Sequence, residues 1–192
     1  RERSVGLGVM GLHSFFQQKN IPFGSVMSKV WNQKIFKHIQ EKADEASIKL
    51  AEERGSCPDA EEFGIKERFS NKTAIAPTAS ISIICGGASP GIEPIAANSY
   101  THKTLSGSYN VRNKYLEKVL KKHEKNDDAT WGSITTNQGS VSHLDFLTDQ
   151  EKDVFKTAFE IDQRWIVELG ADRTPNISQA QSINIFVPAD IH

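Results

Sequence analysis

Small hydroxyl side chains cluster behind a proline at Pro77-Thr78-Ala79-Ser80-Ile81-Ser82, and the chemistry such a cluster supports is oxyanion binding. The run ahead of it, Thr73-Ala74-Ile75, is β-prone. Pro77 removes a backbone donor and stops pairing, and Thr78 or Ser80 can cap whatever follows. A strand is therefore expected to run into a helix N-terminus, where the first N–H groups lack intrahelical partners and the dipole end is positive. The same residues also describe a plain strand–turn–helix connection whose hydroxyls only cap, and the segment alone leaves both readings open.

The other chemistry-bearing residues are sparser. Glu93 stands between Pro90 and Pro94 in a turn-rich loop, where a catalytic acid is one reading and a solvent-facing or backbone-capping carboxylate the default. Cys57 and Cys85 are far apart, without metal-ligand or redox-motif spacing, which fits a reducing compartment and a cytoplasmic protein. Gly6, Gly8 and Gly11 spell a Gly-x-Gly-x-x-Gly string. The dinucleotide fingerprint requires a preceding strand and a downstream acid, neither of which can be assigned, so these glycines read as sites of close helix packing. The basic run Lys118, Lys121, Lys122, His123, Lys125 has no interleaved aromatics and reads as a solvated helix face.

The 192 residues carry 23 basic and 24 acidic side chains, a formal net charge of −1. That balance gives no broad field for nucleic acid. No apolar run approaches the roughly 20 residues of a membrane span, and no signal-peptide pattern opens the chain. It begins at Arg1 and enters an apolar stretch at once, which suggests a piece of a longer or split protein.

The elements that must position these residues alternate in type. Val5, Val9, Leu12, Phe15 and Phe16 predict a short helix over 4–18. Ser25 caps a long helix over 25–54 with a stripe of Met27, Trp31, Ile35, Ile39, Ala43, Ala46 and Leu50, ended by Gly55. Residues 56–70 read as loop. A strand is expected over 98–105, a helix over 111–125 with Tyr115, Leu116, Val119 and Leu120 inward, and a β-prone stretch over 131–144. Thr148-Asp149-Gln150-Glu151 is a capping box for a helix carrying Val154 and Phe155, and further helical turns follow over 161–169. Ile183, Ile185 and Val187 predict a closing strand. Gln179, Gln181, Ser182 and Asn184 either line a wet cavity or face solvent on an edge. The pattern is α/β with crossover helices, and too few strands to close a barrel: an open half-barrel.

Four groups of residues, taken in order, resemble one known family. They are Arg1-Glu2-Arg3-Ser4-Val5-Gly6-Leu7-Gly8-Val9-Met10-Gly11; Ala76 to Ser82 followed by Gly91-Ile92-Glu93-Pro94; Tyr100 to Gly107; and Ala171-Asp172-Arg173-Thr174-Pro175 followed by Gln179 to Asn184. Together they are similar to the large, catalytic subunit of class I ribonucleotide reductase, across essentially the whole chain. The resemblance implies the C-terminal part of a ten-stranded α/β barrel, residues 1–192 forming a single incomplete piece. The enzyme it implies reduces ribonucleoside diphosphates by thiyl-radical chemistry, for deoxyribonucleotide biosynthesis and DNA replication. It implies that Thr78, Ala79, Ser80 and Ile81, with Ser82 as a further candidate, hold the substrate diphosphate. The radical would come from a metal-bearing small subunit, electrons from a thioredoxin- or glutaredoxin-type reductant, and the N-terminal remainder of the large subunit would complete the site.

The family's catalytic cysteines, its Asn and Glu near the sugar, its radical-relay tyrosines and its ATP-binding cone match no residue here. No catalytic residue, metal ligand or bound cofactor is therefore expected on this chain. Cys57 and Cys85 are expected to be structural, and Glu93 is not matched to the catalytic carboxylate. Two alternatives follow from the same residues: a non-catalytic scaffold that keeps the packing, or part of an adenosylcobalamin-dependent reductase.

Overall fold

A computed structural model describes residues 1–105 and 107–188. Ser106, inside one of the resembling segments, and residues 189–192 lie outside the described residues. Three extended segments run side by side in parallel. Thr73 bridges Leu7 on one edge of the middle segment and Ile75 bridges Gln181 on the other. Val5 and Leu7 donate to the carbonyls of Asn71 and Lys72, Gln179 to Thr73, and Ser182 to Ile75. The middle segment is thus paired on both edges, as an interior barrel strand must be.

The expected helix over 4–18 is present only as α1, Leu12–Gln18. Residues 5–9 are extended because the glycines permit a closer backbone approach than a helix needs: a Cβ on Gly8 would lie 2.5 Å from the Ala74 carbonyl oxygen. Helix α2, Val26–Arg54, starts at the expected Ser25, whose side chain accepts from Ser28 N–H in a capping box. Its buried face is not the expected stripe. Ser28, Asn32, Phe36, Ser47 and Ala51 are buried, whereas Met27 and Ala46 are exposed and Trp31, Ile35, Ile39, Ala43 and Leu50 half-buried. The polar positions point inward because they are bonded there. Asn32 donates to the Leu169 carbonyl at 2.9 Å and accepts from Arg173 at 2.8 Å.

Residues 56–70, read as loop, contain α3, Pro58–Glu62, with proline in its first turn. Strand β1, Ser99–Thr104, is as expected, but it pairs in antiparallel register with β2, Gly107–Arg112. The following helix α5 is therefore shorter than expected, Lys114–Lys122, and is capped by Asn113. The β-prone stretch over 131–144 instead opens in helix α6, Asp128–Thr136. Asp127 accepts from Thr130 N–H at 2.7 Å, Trp131 and Ile134 share the buried face, and Thr135 and Thr136 direct their hydroxyls to carbonyls four residues back. Capping and packing here override β propensity. Helix α7, Asp149–Val154, has the expected reciprocal Thr148–Glu151 cap, and α8 spans Arg164–Arg173. Among the described residues the expected closing strand does not extend past the Gln181 bridge, and Phe186 N–H turns to the Gln163 side chain at 2.8 Å.

Two apolar cores result. One joins α1, α2 and α8 to Ile75 and Ile92, with Phe16, Phe23, Phe36 and Leu169 at its centre. The other packs Leu116 and Leu120 of α5 against Trp131, Ile134 and Phe155. His13 is fully buried near the first core, edge-on to Phe23. Its Nδ1 accepts from Ile95 N–H at 3.0 Å, which fixes the neutral ring. Burial pushes its pKa from 6.5 to about 3, partly opposed by a hydrogen bond to the Val154 backbone. The folded form therefore resists a proton that the unfolded chain takes up below pH 6.5, so stability is complete above that pH and falls as pH drops toward 3. Urea denaturation at pH 7 and pH 5 should show a loss of about 2 kcal/mol attributable to this residue. A His13→Gln variant should lack that share, and an unchanged pH dependence in the variant would contradict the assignment.

Candidate functional site

The middle extended segment ends at Ala76 and Pro77 and delivers the chain to Thr78, whose backbone is left-handed at φ 51°, ψ 27°. A β-branched residue adopts this conformation only when its surroundings impose it. Here the constraint comes from the loop over 88–95. Gly91 N–H donates to Thr78 Oγ1 at 2.8 Å. Gly91 itself is at φ +46° and lies so close that a Cβ would be 2.9 Å from the Ala76 carbonyl oxygen. The Thr78 hydroxyl therefore holds the neighbouring loop and does not cap the helix, and Ser80 is not the cap either, since Thr78 occupies that position.

Helix α4, Ala79–Ile84, follows directly. Its first bond is from Ser82 N–H to the Thr78 carbonyl at 2.9 Å, so the N–H groups of Ala79, Ser80 and Ile81 precede the helical ladder. All three residues are exposed. Ser82 differs: it is buried, and its hydroxyl donates to the Ala79 carbonyl at 2.6 Å, bracing the turn from behind. The structure brings Thr78, Ala79, Ser80 and Ile81 into one turn, three of them facing outward and one locked to the loop.

That loop is anchored to α1. Ser14 and Ser89 exchange hydrogen bonds between backbone N–H and hydroxyl, at 3.1 and 2.8 Å. Gly11 N–H donates to the Ser89 carbonyl at 2.9 Å. Glu93, expected to face solvent or to cap, is instead buried with 5% exposure, and its Oε1 accepts from Asn184 Nδ2 at 2.6 Å. The other tail residues are also bonded to protein. Gln179 donates to the Val5 carbonyl, and Gln181 accepts from Arg173 at 2.7 Å and donates to the Gly170 carbonyl. Gln179 and Asn184 are exposed residues whose amides reach inward, and Gln181 and Ser182 are half-buried. Periodicity gives no indication of the Glu93–Asn184 contact, because it joins residues far apart in the chain.

Behind α4 lies a cleft of about 330 Å³ bordered by Ala79, Ser82 and Ile83 together with α1 and the β1–β2 hairpin. Its polar wall is bonded internally: Asn113 Nδ2 donates to Gln17 and Asn98, and Arg112 to Asp128. Cys57 is buried, Cys85 is exposed at the end of α4, and both are free thiols. Among the described residues no group of three or more His, Cys, Asp or Glu is placed to hold a metal ion. No helix among them is long and apolar enough to cross a membrane.

A parallel extended segment that runs into a short helix, with further helices packed against it, is the arrangement of an α/β barrel segment. The family model for the ribonucleotide reductase barrel domain matches residues 1–67 and 59–192, and the chain belongs to that family. It is 47% identical to the ribonucleoside-diphosphate reductase large subunit of Invertebrate iridescent virus 6, over all of this chain and 20% of that protein. It is 31% identical to the large subunit of Caenorhabditis elegans, over 97% of this chain and 27% of that protein. Among solved structures, the class Id ribonucleotide reductase alpha subunit of Actinobacillus ureae superposes with a TM-score of 0.89 at 41% identity, over 96% of this chain and 33% of that one. The chain thus spans a third or less of the length of each of these relatives, and its fold is part of the ribonucleotide reductase barrel.

The contact between Gly91 and the Ala76 carbonyl generates a prediction. A Gly91→Ala substitution places a methyl group against a backbone oxygen and should destabilise the chain by about 1–3 kcal/mol, read as a lowered urea midpoint. An unchanged midpoint would mean that the loop does not press on the turn.

Proposed function

We propose that this chain is the diphosphate-holding part of a ribonucleoside-diphosphate reductase large subunit, with Thr78, Ala79, Ser80 and Ile81 forming the substrate diphosphate site. The observation that carries the proposal is the left-handed Thr78, after which the exposed residues Ala79, Ser80 and Ile81 open α4 with N–H groups ahead of its first helical bond. Backbone donors ahead of the helical ladder suit phosphate oxygens, and strain held in place by a neighbouring loop is what pre-organisation of a binding turn requires. The names of the relatives support the reaction class: reduction of ribonucleoside diphosphates to their 2'-deoxy forms.

On this reading the chain binds and orients and does no radical chemistry. Fixing the diphosphate restricts where the ribose lies, so the reacting groups supplied by the remainder of the large subunit meet it in one orientation. The radical source is a metal-bearing small subunit, and the reductant is of the thioredoxin or glutaredoxin type. The superposed alpha subunit is of class Id, which supports class I over the cobalamin-dependent alternative.

Substitutions in the complete large subunit, assayed with the small subunit and a reductant, test the proposal. Thr78→Pro fixes φ near −65°, which is incompatible with the observed +51°, and should abolish nucleoside diphosphate binding. Ser80→Ala removes one hydroxyl and should weaken binding by about 1 kcal/mol, roughly fivefold. Equal affinity in both variants would place the diphosphate elsewhere.

A further inference from the structure

We propose that Glu93 is a positioning residue for the diphosphate turn, held in place by the amide of Asn184. The inference rests on the diphosphate reading above and extends it to two residues that do not touch the turn's outward face.

The turn is closed by a ring of contacts. Ile75 lies three residues before Thr78 and accepts from Ser182 N–H at 3.1 Å. Ser182 fixes the tail, and Asn184, two residues further on, donates to Glu93 Oε1 at 2.6 Å. Glu93 lies two residues from Gly91, with its own N–H bonded to the Pro90 carbonyl at 3.0 Å. Gly91 holds Thr78 Oγ1 at 2.8 Å and packs on the Ala76 and Pro77 carbonyls. Prolines at 90 and 94 stiffen the stretch between these contacts, so a shift of Glu93 is passed to Gly91 and from there to the left-handed residue.

Core packing does not explain the carboxylate. The loop already contributes Ile92, 1% exposed, to the apolar core, and a buried carboxylate costs more than an apolar side chain unless it is bonded. Its partner reaches in from an exposed residue of the tail. The opposite side of the loop is tied to α1 by Ser14 and His13, and the Glu93–Asn184 bond ties the loop to the tail.

The experiment uses the complete large subunit with its small subunit and reductant. Glu93→Ala and Asn184→Ala should each raise KM for the nucleoside diphosphate by about tenfold with kcat within about twofold, because the diphosphate is bound equally in ground and transition states. Glu93→Gln keeps an oxygen that accepts the same amide and should stay close to the unsubstituted KM. The double Ala variant should be no worse than either single one. Asn184→Ala alters an exposed residue and keeps the test available if Glu93→Ala misfolds. Unchanged KM in the single variants, alongside lost binding in Thr78→Pro, would overturn the positioning role and leave the diphosphate reading intact. Unchanged KM in all of them, Thr78→Pro included, would overturn both.

Discussion

The middle extended segment, residues 71–75, is hydrogen-bonded along both edges, and the placement of the site depends on it. The N-terminal segment pairs with one side and the tail with the other, so the direction in which the chain leaves Ile75 is fixed by two neighbours. Pro77 then ends the pairing without leaving a donor unbonded. The next residue is forced into a left-handed turn by a loop that is itself tied to α1. Three parts of the chain distant in sequence thus converge on one residue, Thr78, whose hydroxyl accepts from the loop and whose left-handed backbone opens α4.

The register of the tail has a second support. Arg173 is buried at 1% exposure; its guanidinium donates to Asn32 at 2.8 Å and Gln181 at 2.7 Å and lies over the Phe36 ring. Burial lowers its pKa to about 10, so it remains charged at neutral pH, and a buried charge tolerates loss of its partners poorly. Gln181 is also the residue that bridges Ile75. Arg173 therefore links the helix layer to the extended layer through Asn32 on the buried face of α2 and Gln181 of the tail.

Much of this arrangement is legible in the residues. Ser25, the Thr148–Glu151 box, the inward face of α5 and the strand–turn–helix passage at 73–84 all follow from local rules of capping, periodicity and proline placement. The departures share a cause, which is that non-local contacts decided the outcome. Gly6 and Gly8 serve a close strand approach, and only the position of Ala74 reveals it. The buried Asn32 of α2 is held by Arg173, some 140 residues away, and hydrophobic periodicity is blind to it. The Asp127 cap and the burial of Trp131 and Ile134 turned a β-prone stretch into α6. Glu93 stands among turn residues that locally suggest solvent, and only its contact with Asn184 brings it inside.

The most direct test of the account is a crystal structure of the complete large subunit with a ribonucleoside diphosphate bound. The account predicts phosphate oxygens within about 2.7–3.2 Å of the backbone nitrogens of Ala79, Ser80 and Ile81, with Thr78 still left-handed and its hydroxyl still on Gly91. A diphosphate bound away from this turn, or a Thr78 that changes conformation to release the loop, would contradict it.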